Sequence, residues 1–540
     1  MTRPYLHHAL SFLQTTGANT VSLSPFYKLS SNAPTDTHIV NHTDVHSQLG
    51  TLEDFHRLVN ETHARGMHIT VDFIPNHTSD QHPWFQQSRA ESDSKTNAYR
   101  SYYVWTEGAA PYNNWQSVYG CSAWETLNQT TGESYLHQFM YSQPDLNLRS
   151  DKVKDELTDI MTFWLEAGVD GFYIRDADFL FEDYDLRDDI LNDTSSPMIN
   201  CSDGTTAHAY DNFNHTYTRG ESQNLDLLAH WRSYLDDYGN ATNRYKILLS
   251  DVEGSVDHVM SYYGLFNRDG VDFPLNTFSR DIEASGGGQG LADVVTGWMD
   301  NMAPGHWPNW MSGDDRSPRL VDRLGKQLAK SYLLFMTLLP GTPFIYYGDE
   351  IGMQGVPLPQ GTPIYQRNKA MRSPMLWSNA SHHHGFCLNH CFNTWMNQSD
   401  ATVVSTEVGN NAEVRLDVQA MQEDFDSIYN LFKNVTELRK DNPSFVYGDY
   451  NLALRENDIV SFVREFDGEK GYLVAVNFGF SKLSATFTGS HSTIPNTGKV
   501  ELVSGSNSGI TRGQSIGLDP LTLAAEEGVV ISWDYEAKEL

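Results

Sequence analysis

A buried strand runs into a polar turn at Val71-Asp72-Phe73-Ile74-Pro75-Asn76-His77-Thr78. The strand follows a segment whose apolar residues recur at helical spacing, and Gly66 marks the end of that helix. In a barrel of parallel strands, the carboxyl ends of the strands hold the functional site. The stretch therefore predicts that Asp72, Asn76 and His77 lie together at one rim of an α/β barrel.

The same unit of helix, glycine and apolar strand recurs along the chain. In a second copy, Leu157 and Trp164 share a helix face, Gly168 ends the helix, and a strand follows at 169–174. Helices that alternate with continuously apolar strands indicate a parallel sheet that is covered on both faces. Further strands are predicted at 20–24, 68–74, 246–251, 271–273, 308–312 and 343–347.

These segments give seven strands, whereas a closed TIM (β/α)8-type barrel needs eight. The first predicted helix, 5–16, has no strand before it, and an open barrel would expose two strand edges. We therefore expect the sequence to be truncated at its N-terminus, so that the first strand of the barrel is missing.

The apolar pattern divides the chain into three regions. The barrel is predicted to span residues 1–445. Residues 75–150 are rich in Trp, Tyr, Asn and Gly and too long for an ordinary loop, which predicts an excursion domain inserted in the barrel. Beyond the barrel the pattern changes to a period of two, which predicts a C-terminal antiparallel β-sandwich domain at 446–540.

Composition restricts the class of protein. The 540 residues carry a formal net charge of -32, which disfavours nucleic acid and acidic lipid as partners. No apolar run reaches the roughly 18 residues of a membrane-spanning helix. Asn-x-Ser/Thr sequons are about twice as frequent as composition predicts, which points to a secreted protein or an ectodomain. They begin at Asn41, Asn60, Asn76, Asn128, Asn192, Asn200, Asn214, Asn240, Asn379, Asn397 and Asn434.

Four cysteines allow three disulfide pairings, and their spacing fits no zinc site well. Cys387 and Cys391 could close a small loop, which would leave Cys121 and Cys201 as the second pair.

Further motifs of the chain are Asn113-Asn114-Trp115, Gln143-Pro144-Asp145-Leu146-Asn147, Gly168-Val169-Asp170-Gly171-Phe172 and Tyr347-Gly348-Asp349-Glu350-Ile351-Gly352-Met353. Together with the octapeptide above, they give the chain a resemblance to the α-amylase superfamily, glycoside hydrolase family 13, from about residue 5 to its end. Within this superfamily, the chain is similar to insect-type maltases and to the rBAT-type heavy chains of heteromeric amino acid transporters. The heavy chains are favoured by Trp307-Pro308-Asn309-Trp310, Asp272-Phe273-Pro274 and the large excursion domain.

The position of the catalytic nucleophile is altered. A retaining glycosidase needs a carboxylate nucleophile about 5 Å from a carboxylic acid. The family strand has the form Gly-Phe-Arg-Ile-Asp-Ala, and this chain has Gly171-Phe172-Tyr173-Ile174-Arg175-Asp176-Ala177. An alignment without gaps places Arg175 at the nucleophile position, and a guanidinium stays protonated and cannot attack. An insertion would instead place Asp176 there, but it needs a compensating deletion before Leu180 and puts the side chain on the opposite face of the strand.

The resemblance places Asp251 at the general-acid position, where the family has Glu, and Arg316 at the position of the third catalytic Asp. The sugar-binding Tyr-Asp pair of the family aligns with Thr37-His38. Cations at two of these positions would destabilise an oxocarbenium-like transition state.

No catalytic residue is therefore expected to function as in the family. We expect Arg175 to pair with Asp251, and Asp72 and His77 to persist as structural relics that hold the end of their strand.

The resemblance also implies a calcium site between barrel and excursion domain. Oxygen ligands from amides, carboxylates and the backbone suit calcium. The alternative is that the same residues serve only packing and capping. The matching positions are Asn76, Asp145, Phe179, Leu180 and Glu182.

Three functions follow as expectations. The preferred one is an inactive, glycosidase-like ectodomain that assists the assembly and trafficking of a membrane amino acid transporter light chain. Such a protein would be extracellular and held at the plasma membrane by a helix N-terminal to this chain. The second is an active α-glucosidase that uses Asp176 as nucleophile, and the third is a carbohydrate-binding pseudoenzyme.

Overall fold

The structure, a computed structural model, describes residues 3–536 except 91–95, 109–111, 193–197, 202–205, 266–267, 359–361, 363, 379–405, 410–411, 416 and 506. Contacts divide the chain into two compact units. The first is built mainly from Asn19–Pro274, and the second from Thr2–Ala18, Leu275–Thr362 and Arg367–Leu540. The domain limits predicted from the sequence, 1–445, 75–150 and 446–540, stay predictions.

The first unit contains a five-stranded parallel sheet in which the strands lie in chain order. Strands β2 and β3 are buried on both faces, as the continuous apolar runs predicted. The strands are β1 (Thr20–Leu23), β2 (His68–Phe73), β3 (Gly171–Ile174), β4 (Ile247–Ser250) and β5 (Phe273–Pro274).

Two glycines set the geometry of β3. Gly168 ends the preceding helix with a φ of +100°, a left-handed conformation that favours glycine. A Cβ on Gly171 would lie 2.2 Å from the carbonyl oxygen of Ile247 in β4, so only glycine lets the two backbones approach. The carboxyl end of β3 is therefore fixed against its neighbour.

Amphipathic helices accompany this sheet. The first begins with a capping box between Thr51 and Asp54, which satisfies two backbone donors at its start. The second buries Trp164 completely, and the indole Nε1 donates to the carbonyl of His42 at 2.8 Å. The helices are Leu52–His63, Asp151–Glu166 and Ser222–Thr242.

A hairpin and an inserted sheet complete the first unit. The hairpin joins Tyr27–Leu29 to Ile39–Val45, and the sequence analysis did not predict it. Within the predicted excursion domain, three short antiparallel strands surround an apolar cluster that includes Trp115 and Trp124. The three strands are Trp105–Thr106, Trp124–Asn128 and Glu133–Leu136.

One disulfide joins Cys121 to Cys201 across 80 positions of sequence. It confirms one of the pairings that the sequence left open. Cys387 and Cys391 lie outside the described residues.

The second unit contributes two further parallel strands, β6 (Asn309–Met311) and β7 (Thr342–Phe344). All seven predicted barrel strands are thus present within the described residues. The longer helices of this unit are Arg3–Thr15, Gly287–Asn301, Lys326–Leu338 and Ile428–Asp441. The last helix is capped by Ser427, and Phe425, just before the cap, is 98% exposed.

The C-terminal part forms an antiparallel sheet of six strands, as the period of two predicted. The sheet order is Asp449–Glu456, Ile459–Glu465, Lys470–Asn477, Gly528–Asp534, Thr497–Val503 and Ser515–Gly517. Among the described residues, no helix combines the length and apolarity needed to cross a bilayer.

Candidate functional site

The carboxyl ends of β2, β3 and β4 bring Asp72, Arg175 and Asp251 together. The pairing of Thr70 with Gly171 aligns β2 with β3, so Asp72 and the residue after β3 meet at one edge of the sheet. The Arg175 guanidinium lies 3.4 Å from Asp72 through Nη1 and 3.7 Å from Asp251 through Nε. All three side chains are largely buried: the exposed fraction is 13% for Arg175, 4% for Asp72 and 6% for Asp251. The position predicted for the nucleophile therefore holds a cation between two acids.

This arrangement confirms the predicted pairing of Arg175 with Asp251 and adds Asp72 to it. Asp72 is further fixed because the Tyr27 hydroxyl donates to its backbone carbonyl at 2.6 Å. The guanidinium also lies 5.5 Å from the centre of the Tyr173 ring, within the range of a cation–π contact.

Asp176 lies just beyond β3, in the turn that follows it. Its backbone is left-handed, with φ 54° and ψ 45°, and it opens the short helical turn Ala177–Phe179. Its backbone N–H donates to the Asp251 carboxylate. The left-handed backbone breaks the alternation of side chains along the strand, so strand geometry alone does not assign the direction of Asp176.

His77, a predicted relic, is held in a neutral polar network. Its Nδ1 lies 3.0 Å from Asn76 Oδ1, and its Nε2 lies 3.0 Å from Gln143 Nε2. The same Gln143 amide donates to Thr37 Oγ1 at 2.7 Å. Burial lowers the pKa of His77 to about 3, and nearby His38 acts in the same direction. The resemblance aligns the sugar-binding Tyr-Asp pair of the family with Thr37-His38. In this chain, neutral groups thus surround that position.

Arg316 belongs to the second unit and is exposed. Its backbone N–H donates to Asp314 Oδ1 at 2.8 Å. Asp315, beside it, is buried and forms an ion pair with Arg372. The backbone of Arg316 is therefore held by the Asp314 carboxylate in a turn that also contains Asp315.

A second buried ion pair, which the sequence analysis missed, follows Arg175 in the chain. Asp178 is 2% exposed and accepts from Arg219 Nε at 2.9 Å. Burial raises the pKa of Asp178 to about 6, although Arg219 opposes the shift. The Arg219 guanidinium also lies 4.6 Å from the centre of the Phe179 ring. The pair anchors the turn that carries Arg175 and Asp176.

Three of the five predicted calcium positions converge in the structure. The carbonyl of Phe179 accepts from Asn76 Nδ2 at 2.7 Å and from Gln138 Nε2 at 3.0 Å. Gln138 Nε2 also donates to Asp145 at 2.9 Å. Burial raises the pKa of Asp145 to about 8. The Asp145 carboxylate, the Phe179 carbonyl and two side-chain amides therefore meet here, and carboxylate, amide and backbone oxygens are the ligands that calcium prefers.

The other two positions fit less closely. Glu182 is buried but forms an ion pair with Arg149, and Leu180 offers only its backbone. Gln138, which the sequence analysis did not assign, adds a buried amide oxygen that has no hydrogen-bond partner among the described residues. These residue types suit calcium, Gln138 is an additional candidate donor, and the calcium site stays a prediction.

The substitution Arg175→Met tests the buried cluster. It removes the cation but keeps most of the side-chain volume, and it leaves Asp72 and Asp251 facing each other. We expect the free energy of unfolding to fall by about 3 kcal/mol, because breaking a buried ion pair leaves uncompensated charge. Arg268→Met is the matched control, since Arg268 and Asp226 are both 56% exposed and such pairs contribute about 0–1 kcal/mol. Equal losses in the two variants, measured by denaturant unfolding, would contradict the account.

Acid should destabilise the fold through His42. Burial lowers the pKa of His42 to about 4, so the folded state favours the neutral ring. Above pH 6.5 both states are neutral, and below it the unfolded chain binds a proton that the folded chain excludes. Between pH 7 and pH 5, His42→Phe should therefore lose about 2 kcal/mol less stability than the parent chain. His56→Phe, at an exposed position, is the control, and identical pH profiles for parent and His42→Phe would refute the expectation.

Proteins similar to this chain include both transporter subunits and enzymes that act on sugars. The chain is 32% identical to the amino acid transporter heavy chain SLC3A1 of Mus musculus, over 98% of this chain and 75% of that protein. It is also 32% identical to an alpha-glucosidase of Culex pipiens, over 90% of this chain and 79% of that protein. The solved structure of a trehalulose synthase has a TM-score of 0.78 at 24% identity and covers 98% of this chain and 95% of its own.

The structural similarity confirms the predicted fold, an α/β barrel with an appended antiparallel β domain. The model of the alpha amylase catalytic domain matches residues 6–448, most of the sequence. The chain therefore belongs to the alpha-amylase family.

Proposed function

We propose that this protein is a catalytically inactive heavy subunit of a heteromeric amino acid transporter, which assists the assembly and trafficking of a membrane-embedded light chain. One observation carries the inactivity: the Arg175 guanidinium lies between Asp72 and Asp251, where a retaining glycosidase needs a carboxylate. Similarity to the SLC3A1 heavy chains supports the partner.

The electrostatics of the cleft oppose glycoside hydrolysis. An oxocarbenium-like transition state is stabilised by negative charge close to the anomeric carbon. Here the two acids of the first unit are engaged by one guanidinium, and a permanent cation would repel the developing positive charge. Neither acid is then free to act on a substrate as nucleophile or as proton donor.

Two observations support an extracellular location at the plasma membrane. The disulfide between Cys121 and Cys201 is typical of an oxidising compartment. Six of the sequons also present an exposed Asn side chain, which is accessible to N-glycosylation. The exposed sites are Asn60, Asn128, Asn192, Asn200, Asn214 and Asn240. In this proposal a helix N-terminal to the chain attaches the ectodomain to the membrane.

We also propose that calcium binds at Asn76, Asp145 and the Phe179 carbonyl. Millimolar calcium should raise the melting temperature over that in chelator, because a ligand at about 100 times its Kd stabilises the folded state by about 2.7 kcal/mol. Asp145→Asn should abolish this increase, whereas Asp226→Asn at an exposed position should preserve it. The calcium site would be refuted if calcium raised the melting temperature equally in both variants, or if it did not raise that of the parent chain.

The transporter role is tested by co-expression. The protein encoded by the full natural messenger RNA is expressed together with each transporter light chain of the same organism. Surface biotinylation should show several-fold more of one light chain, with amino acid uptake rising in parallel. Asp176→Asn, which removes the carboxylate that an enzyme would need as nucleophile, should retain this effect, since the role does not depend on acid chemistry in the cleft. No change in surface light chain for any partner would overturn the proposal.

The second candidate function is an α-glucosidase, which the Culex pipiens relative favours. It requires Asp176 to act as nucleophile beside Asp251. A chromogenic α-glucoside assay on the purified protein separates the two functions. Our proposal predicts no turnover, and turnover that Asp176→Asn abolishes would establish the enzyme instead.

A further inference from the structure

A cleft opens in the first unit, beside the hairpin Tyr27–Leu29/Ile39–Val45. Its volume is about 680 Å³, within the range of ligand sites in proteins. Its lining mixes aromatic rings with polar groups and includes Lys28, Asn41, His42, His82, Trp84 and Glu156. None of these residues takes part in the Arg175 cluster or the calcium positions.

The cleft contains a polar group that the protein leaves unsatisfied. His42 is 2% exposed, and neither ring nitrogen has a hydrogen-bond partner among the described residues. Burial lowers the pKa of His42 to about 4, so the ring is neutral at physiological pH and offers one donor and one acceptor. Hydroxyl groups, which both donate and accept, match such a ring.

The aromatic wall of the cleft suits the apolar face of a sugar. Trp84 is half-buried, and its ring centre lies 4.6 Å from that of His82 and 6.3 Å from that of His42. Around the rings stand an amine, a carboxylate and the exposed amide of Gln81. Pyranose rings present CH groups on their faces and hydroxyls at their edges, so this lining is complementary to them.

Asn41, one of the residues that line this cleft, is also the first residue of an N-glycosylation sequon. Its Oδ1 accepts from both the backbone N–H and the Oγ1 of Thr43, each at 2.9 Å, which joins the first and third residues of the sequon Asn41-His42-Thr43. Its Nδ2, the atom that receives a glycan, has no hydrogen-bond partner among the described residues. By contrast, the sequon at Asn76 is buried and its Nδ2 is occupied by the Phe179 carbonyl.

We propose that Asn41 carries an N-linked glycan whose first sugars lie in this cleft, against Trp84 and over His42. The glycan comes from a lipid-diphosphate-linked oligosaccharide. The Asn41 Nδ2 forms a bond to the anomeric carbon as the bond from that carbon to the diphosphate oxygen breaks, the lipid diphosphate leaves, and the amide loses one proton to a base. The glycan then covers the Trp84 ring, which is half-buried in the protein without it. This inference rests on the extracellular location in the proposed function.

The test measures occupancy and protection in the full chain secreted from a eukaryotic host. Mass spectrometry of glycopeptides gives the occupancy at Asn41, Asn128 and Asn214. We expect all three to be occupied, and Thr43→Ala to remove the glycan at Asn41 alone. An endoglycosidase acting on the native protein should release the Asn41 glycan about tenfold more slowly than the Asn128 glycan, since a seated sugar must first leave the cleft.

Two variants separate seating from mere attachment. Trp84→Ala should leave occupancy unchanged and raise the release rate at Asn41 to within about twofold of that at Asn128, as the stacking surface is lost. Should this variant not be secreted, Gln81→Ala at the exposed rim should still accelerate release several-fold. Equal release at Asn41 and Asn128 in the parent chain, or no acceleration in the secreted variant, would overturn the proposal.

Occupancy also separates this inference from the proposed location. Glycans at Asn128 and Asn214 with none at Asn41 would refute the inference alone. The absence of glycans from all three sites would refute the extracellular location together with the inference.

Discussion

A guanidinium held between two buried carboxylates, Arg175 between Asp72 and Asp251, is the interaction on which the rest of this site depends. The parallel strands β2, β3 and β4 end at one edge of their sheet, which forces whatever residues follow them into contact. In the alpha-amylase family such an edge is suited to acids that act on a glycosidic bond. Here one arginine converts the same edge into an ion-paired cluster, and desolvation makes that cluster costly to disturb.

The turn after β3 links this cluster to the rest of the first unit. Arg175 and Asp176 engage Asp251, Asp178 pairs with Arg219, and the Phe179 carbonyl accepts from the amides that surround Asp145. These contacts follow one another within a few residues of chain. One short backbone segment therefore connects the Arg175 cluster to the proposed calcium position, and part of it forms the helical turn Ala177–Phe179.

Much of the fold could be predicted from the sequence, since it depends on patterns that are local. Continuous apolar strands, the glycines at 168 and 171 and the period-two C-terminal strands each carry their own signal. The hairpin at Tyr27–Leu29 and Ile39–Val45 lacked such a signal, because its strands are short and its register shifts twice.

The site was predicted only in part for a related reason. The alignment gave Arg175 and its pairing with Asp251, but not Asp72 as a second partner. Gln138 and the pair of Asp178 with Arg219 depend on contacts between residues 41 positions apart, which no local pattern reveals.

The most direct test of the central claim is covalent trapping with an activated fluoroglycoside that accumulates the glycosyl-enzyme of retaining α-glucosidases. Intact-mass spectrometry of the protein after long incubation should show no added sugar, because a guanidinium stands where the carboxylate nucleophile is required. A stoichiometric adduct mapped to the Asp176 carboxylate would contradict the account and show that the cleft retains its chemistry.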